Sequence, residues 1–398
     1  TMFSAVALAS RQNLCLNDIC RGLPMFEAIE ACRVLRETRR CPYKTKLNYS
    51  SLQLPLVLST EKMIQYGKEK SLCPYFLSRT AAKNSTVVVA PYQYIFNEAI
   101  RVKVGLDING KILIFDEAHN ADKIGQEVLS DTLSERGLNN AKRELDLVNH
   151  SSGFIERLLD YLESYVSNKP VLKSGSELFD DLEEFLGEDL SLIIDLYMPI
   201  VDEIREYKLS EGKVPVCYLN GLLSFLSLVE SSEKDNYVAI YRRSRSGLKI
   251  IEYRCLDPSL AIKPVIKEAY SALIMSGTLS PMNYFTEILG LSEAECRTYS
   301  AIARPENIRA YVDLSISTRF KERNKETLRT YGERIVKLVK KIPNGVLIFF
   351  PQRALMKQAL ELWLQNRFIE KRGKDLFLGG KKIFEEGQSA RENTRIVN

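Results

Sequence analysis

The ten residues Lys111-Ile-Leu-Ile-Phe-Asp-Glu-Ala-His-Asn120 restrict what this chain can fold into more than any other stretch. Ile112–Phe115 is a short, unbroken, β-rich apolar run bounded by turn-formers, which predicts a buried strand of a parallel sheet. Asp116 and Glu117 then fall at the carboxyl end of that strand, where open α/β sheets place their ligand chemistry. A carboxylate there can hold a Mg²⁺ that bridges nucleotide phosphates, and its neighbour can orient or deprotonate an attacking water. The plain alternative is a strand capped by an Asp that opens a helix. The Asp-Glu-Ala-His order, the apolar strand before it and the helical pattern after it favour the chemical reading.

At 398 residues the chain should hold two to four domains, and its 45% hydrophobic content supports real cores. No apolar run approaches the roughly 20 residues of a membrane span, and no signal peptide is visible. The expectation is a soluble protein without membrane partners, cytoplasmic, or nuclear if its source is eukaryotic. Thr1 to Leu8 reads as a strand already in progress, as if the chain began inside a domain. Charge is uneven. Residues 1–79 carry 12 Lys/Arg against 6 Asp/Glu and residues 301–398 carry 21 against 11, whereas residues 80–300 carry 23 against 34. Two basic ends suggest faces turned to a polyanion, although charge alone fits ordinary solvated helices as well.

Five of the eight cysteines, 15, 20, 32, 41 and 73, lie in the first 73 residues. In an intracellular chain such clustering favours a metal or redox cofactor over disulfides. Thiols at irregular spacing with no histidine nearby suit an iron–sulfur cluster. A structural zinc site competes, but its usual close Cys pairs are missing.

Further along, Thr86–Ala90 predicts another buried strand, running into Pro91-Tyr92-Gln93-Tyr94, whose aromatics fit base stacking or core packing equally. From about Asn120 to Glu233 the pattern is amphipathic helix. Ser176 to Glu206 holds eleven acids against one base, with loop signals at Asn168-Lys169-Pro170 and Lys173-Ser174-Gly175. Strand patterns return at Asn236–Tyr241 and Leu248–Tyr253, then at Ala272-Leu-Ile-Met-Ser-Gly-Thr-Leu-Ser-Pro281. There the Ser276 and Thr278 hydroxyls would approach the Asp116–His119 stretch. Glu293 to Pro305 is a polar linker. Asn344–Pro351 follows, with a helix from about Arg353 presenting Ala354, Leu355, Ala359, Leu360 and Trp363 on one face.

Ser10-Arg-Gln-Asn-Leu-Cys15, Cys73-Pro-Tyr-Phe-Leu77 and Asp116-Glu-Ala-His119 together resemble the XPD family of iron–sulfur helicases, with Asp116–His119 as its DEAH box. Ser276-Gly-Thr-Leu279 is similar to helicase motif III, and Asn344–Pro351 to motif IV. The resemblance implies an α/β fold: RecA-like parallel-sheet motor domains with an inserted iron–sulfur domain and an inserted helical arch domain. It divides the chain into motor domain 1 at 1–9, 80–120 and 235–292, the cluster domain at 10–79, the arch at 121–234, and part of motor domain 2 at 293–398. It implies a 4Fe–4S cluster on Cys15, Cys41, Cys73 and either Cys20 or Cys32, of which Cys32 is preferred for spacing. It implies ATP between the motor domains, with Asp116 on Mg²⁺, Glu117 positioning water, and His119, Ser276 and Thr278 coupling hydrolysis to strand movement. Arg11, Tyr75, Arg79 and Tyr92 are then the expected DNA contacts, although Tyr75 could instead pack around the cluster. The implied partners are single-stranded DNA and DNA forks, with 5′→3′ translocation in repair or transcription, and proteins of those pathways at the arch. The short cluster domain leans towards an archaeal source.

No Gly-x₄-Gly-Lys-Ser/Thr loop occurs, and the motifs that carry the family's arginine fingers are missing too. The expectation is an internal part of a helicase, whose first strand sits at an unpaired edge and which alone does not hydrolyse ATP. The rival reading is a non-motor iron–sulfur protein that binds single-stranded DNA on the same scaffold.

Overall fold

The structure is a computed structural model. It describes residues 3–21, 23, 25–47, 54–167, 169–300, 305–317 and 319–385. Thr1, Met2, the Asn168 of one loop signal and 301–304 of the expected linker lie outside the described residues. The chain divides into two compact units, Thr1–Arg297 and Thr298–Asn398.

The first unit is α/β with parallel sheets. Strands β1 (Ala5–Ala7), β2 (Val57–Leu58) and β3 (Val87–Val89) pair in the order β2-β1-β3, all parallel. The first strand is therefore central rather than an open edge: Ala5 pairs with both Val57 and Val87. The strand that corrects the expectation is β2, two residues long and carried by the cysteine-rich segment. Beneath this sheet, Val6, Leu14, Leu58, Met63, Phe76 and Leu77 share one core.

A second parallel pair joins β4 (Ile112–Phe115) to β9 (Ser271–Ile274), with Phe115 opposite Ile274. The parallel strand is as expected, but its full burial is not. Phe115 is 6% exposed, yet Ile112 and Ile114 are 65% and 63% exposed, and Val89 of β3 is 61% exposed. Side chains alternate across a strand, and only the Leu113/Phe115 face of β4 packs on described residues. Those include Phe96 and the helices Ala121–Val128 and Ser259–Glu268, through Ala121, Ile262 and Val265.

Residues 131–255 build a third layer. Strands β5 (Asp131–Ser134), β6 (Val171–Ser174), β7 (Tyr237–Arg243) and β8 (Lys249–Cys255) form an antiparallel sheet in the order β5-β8-β7-β6. Five helices pack on it: Glu135–Leu147, Gly153–Tyr165, Gly175–Leu186, Leu190–Ser210 and Tyr218–Ser231. Their apolar residues recur at helical spacing, so Leu138, Ile155, Leu158, Leu182, Ile193 and Leu226 are fully buried. The helix Gly175–Leu186 starts at a Ser174/Glu177 capping box and stops at Gly187, whose φ of 67° ends it at no steric cost. A buried pair pins the layer: Glu144, 2% exposed, accepts from Lys208 Nζ at 2.5 Å and from the Leu219 amide at 2.9 Å. Losing one partner would strand the other charge at a cost of about 3–5 kcal/mol. The boundary expected at residue 235 falls inside this layer. β7 and β8 share the helices' core through Tyr237, Tyr241, Ile251 and Tyr253 and join no parallel sheet.

The second unit packs the helices Lys325–Lys341 and Arg353–Gln365 with the antiparallel β10 (Ile369–Arg372), β11 (Asp375–Leu378) and β12 (Lys381–Lys382). The second helix starts where expected and buries Ala359 and Trp363, while Ala354 stays exposed. Asn344–Pro351 lies in no strand, and Leu347 and Phe349 are exposed. Its hydrophobic run is strand-like, but no described neighbour pairs with it. Among the described residues no helix is long and apolar enough to cross a membrane.

Candidate active site and cysteine cluster

The chain turns sharply where β4 ends. Glu117 sits at φ 52°, ψ 42°, a left-handed conformation that costs a non-glycine residue roughly 1–2 kcal/mol. A single turn of tight helix, Ala118–Asn120, follows. The turn is held from the neighbouring strand: Met275 N donates to Phe115 O at 3.0 Å, and Ala118 N donates to Met275 O at 3.0 Å. This ladder brings Ser276 beside the Asp-Glu-Ala-His residues.

His119 Nδ1 is 2.8 Å from Ser276 Oγ and 3.2 Å from Glu117 Oε2. The Asn120 amide nitrogen lies 3.0 Å from His119 Nε2. With that amide donating, Nε2 accepts and Nδ1 carries the proton of the neutral ring. Ser276 Oγ then accepts from His119 and from the Thr278 amide, at 3.3 Å, and donates to Glu117 Oε2 at 3.2 Å. Thr278 Oγ1 lies 3.3 Å from Ser276 Oγ. Glu117, His119, Ser276 and Thr278 thus lie together. Asn120 was missed, although its place directly after the histidine was the available signal.

Asp116 stands apart from that network. Its Oδ1 accepts from the Glu117 amide at 3.0 Å, and its carbonyl accepts from Tyr92 Oη at 2.6 Å. The Tyr92 ring lies in a stack with Phe96 and Phe115 at centroid distances of 5.6 and 5.7 Å. Burial raises the Tyr92 pKa and the Asp116 and Glu117 charges raise it further, so the phenol stays a donor. Asp116 and Glu117 are both exposed. Mg²⁺ demands about six oxygen ligands, so a single exposed carboxylate suits it only with water and phosphate completing the shell.

Arg11, Tyr75 and Arg79 also come together, but not as an open platform. Tyr75 is 7% exposed, with the Arg11 guanidinium 4.8 Å and that of Arg79 5.9 Å from its ring centroid. Arg79 donates Nε to Val104 O at 3.1 Å and Nη2 to Lys103 O. Tyr94, rather than the expected Tyr92, belongs to this group. Burial pushes its hydroxyl up to about 12, the neighbouring Tyr75 adding and the Arg11 and Arg79 charges opposing.

The five early cysteines are neighbours. Cys15 closes the helix Arg11–Leu14, Cys20 lies on Asp18–Arg21, and Cys32 on Met25–Glu37. Cys41 and Cys73 each precede a proline at a helix start, and Cys73 N donates to Tyr43 O at 3.0 Å, joining the two Cys-Pro-Tyr segments. Burial raises the Cys15 thiol, with Cys32 and Cys41 adding, and pushes Cys73 up to about 11, with the same two adding. Cys20, 2% exposed and hydrogen-bonded to Cys15, is pushed up to about 12, again by burial first. Among the described residues no three His, Cys, Asp or Glu side chains converge in metal-binding geometry. The donor set nonetheless fits a thiophilic centre: Cys32 and Cys41 each lie close enough to act on Cys15, Cys20 and Cys73, whose thiols burial raises and a metal would deprotonate on binding.

The DEAD_2 family profile matches residues 1–138. The ATP-dependent DNA helicase CHL1 of Debaryomyces hansenii is 24% identical, covering 98% of this chain and 53% of that protein. The general transcription and DNA repair factor IIH helicase subunit XPD/RAD3 of Saccharomyces cerevisiae is also 24% identical, over 91% of this chain and 58% of its own length. The chain therefore spans about half the length of the curated relatives it matches. A solved structure called XPD_Helicase superposes with a TM-score of 0.52 at 19% identity, covering 91% of this chain and 61% of that one. That likeness concerns the fold: α/β with parallel sheets.

Proposed function

Because the chain is a distant member of the family that includes the XPD/RAD3 and CHL1 helicases, we propose that it supplies the water-activating and coupling parts of an ATP-dependent DNA helicase. The observation that carries this reading is the Glu117–Ser276–His119 contact. It joins a carboxylate placed for a water to a hydroxyl just beyond the end of the neighbouring strand, an arrangement that a simple helix cap does not need.

In this reading the Asp116 carboxylate would help hold the Mg²⁺ that accompanies ATP, and that ion would supply charge neutralisation for the phosphates. Glu117 accepts a proton from, or orients, the attacking water. Ser276 and His119 hold the Glu117 carboxylate in one direction, and Thr278 steadies Ser276. A shift of β9 would therefore change the aim of Glu117, which is how strand movement and hydrolysis become linked. Cys15, Cys32, Cys41 and Cys73 would hold a 4Fe–4S cluster, which would order the first 80 residues. Arg11 and Arg79 would present positive charge to single-stranded DNA or a DNA fork, with Tyr75 supporting them from beneath. Residues 121–234 would form the arch, open to proteins of repair or transcription, and movement would run 5′→3′.

DNA-stimulated ATPase of the complete protein tests the reading, with Glu117→Gln retaining nucleotide binding and losing turnover. Strand binding without any ATPase in the parent would favour the non-motor alternative.

A further inference from the structure

Two tyrosines on one short helix point to different parts of the first unit. Tyr92 precedes the helix Gln93–Phe96 and Tyr94 lies within it. Tyr92 Oη donates to Asp116 O at 2.6 Å, while Tyr94 Oη donates to Ala9 O at 3.0 Å. Ala9 is the residue before Ser10, whose side chain caps the helix Arg11–Leu14 that carries Arg11 and ends on Cys15. Tyr94 also sits among Tyr75, Arg11 and Arg79, all of which act on its hydroxyl.

The segment between the two hydroxyls has little freedom. The Tyr92 ring is stacked with Phe96 and Phe115. Arg101 Nη1 donates to Ile95 O at 2.8 Å, and Asn97 caps the next helix, Glu98–Val104. The far end of that helix accepts the Arg79 Nε–H through Val104 O. A close-packed segment held at this many points has few ways to absorb a displacement internally.

We propose that residues 91–96 are a rigid strap coupling Asp116 to the Arg11–Tyr75–Arg79 group, with Tyr92 and Tyr94 as positioning residues and their hydroxyls as its two attachment points. The functional consequence rests on the reading of Asp116 as the nucleotide-metal carboxylate; the mechanical coupling does not. Coupling between two sites is reciprocal, so loosening either attachment must be felt at the other.

The test is amide hydrogen exchange on the complete protein carrying Tyr92→Phe, Tyr94→Phe or both. Each change removes one hydroxyl and keeps the ring, so the stack and the core survive. The reporters are the Ala118 amide, bonded to Met275 O, and the Cys15 amide, bonded to Arg11 O. The expected result is that Tyr94→Phe speeds exchange at Ala118, and Tyr92→Phe at Cys15, by roughly 2- to 12-fold, the weight of one neutral hydrogen bond. The double variant should fall short of the product of the two single effects. The Val166 amide, bonded to Leu162 O in the antiparallel layer, should be unchanged. Effects confined to each variant's own attachment point, or an equal rise at Val166, would overturn the strap. Titration of the parent with Mg²⁺-ATP gives a separate answer: absence of binding removes the helicase reading and leaves the exchange result to decide the coupling.

Discussion

Ser276 Oγ lies 3.2 Å from Glu117 Oε2 across 159 residues of sequence, because the parallel pairing of β4 and β9 sets Phe115 opposite Ile274. The hydroxyl is at once acceptor for His119 and donor to the carboxylate, so it fixes both side chains. Removing it should leave nucleotide affinity alone and slow the step that needs an aimed carboxylate. Ser276→Ala is expected to lower DNA-stimulated ATP turnover in the complete protein by roughly 10- to 100-fold, the weight of a hydrogen bond to a charged group. The KM for ATP should move little. Unchanged turnover would mean that the contact is only structural.

Much of this site was legible in the sequence. The Asp-Glu-Ala-His order and the Ser-Gly-Thr triplet each follow a short apolar run, so both fall at strand ends, and two parallel neighbours bring strand ends together. The exposure of Ile112 and Ile114 was not legible: an apolar run reports what the side chains are, not which face is covered. The partnership of β7 and β8 was also hidden, because pairing is non-local and alternating patterns look alike in either sheet. Tyr75 illustrates a third gap. Its position in Cys-Pro-Tyr was clear, but two guanidiniums closing over its ring could be seen only in three dimensions.

For that reason Tyr75→Ala should act on stability first. The buried ring and its two cation–π contacts predict a loss of about 3–5 kcal/mol, of the order of other large-aromatic truncations. Urea denaturation of the first unit in the complete protein measures it. Tyr75→Phe should retain both the stability and the single-strand affinity. A large loss of DNA affinity in a fully stable Tyr75→Ala protein would restore the ring to a stacking role.

The cysteine cluster makes a prediction about metal. Protein purified without oxygen should be yellow-brown. Cys73→Ser and Cys32→Ser should each bleach it, while Cys20→Ser keeps its iron. Loss of iron in Cys20→Ser with retention in Cys32→Ser would exchange the two residues' roles. A colourless protein with stoichiometric zinc would contradict the iron–sulfur assignment altogether.

Cys217, 1% exposed in the antiparallel layer, predicts a pH dependence. Burial, reinforced by the Glu144 charge, pushes its thiol from 9.0 up to about 12 in the folded protein. The folded state therefore holds this proton more tightly than the unfolded chain does. The stability that follows is complete below pH 9 and is lost as pH rises from about 9 towards 12, by roughly 1.4 kcal/mol per unit. Between pH 8 and pH 10.5, Cys217→Ala should lose less stability than the parent. Parallel losses in the two proteins, measured by urea denaturation, would contradict the assignment.

The most direct test of the account is single-turnover ATP hydrolysis by the complete protein with Glu117→Gln, in the presence of single-stranded DNA. Glu117 is assigned only the water, so Mg²⁺-ATP affinity should stay within a few-fold of the parent while the hydrolysis rate falls roughly 100- to 10,000-fold. Hydrolysis at the parental rate would contradict the assignment of Asp116–His119 as a motor site.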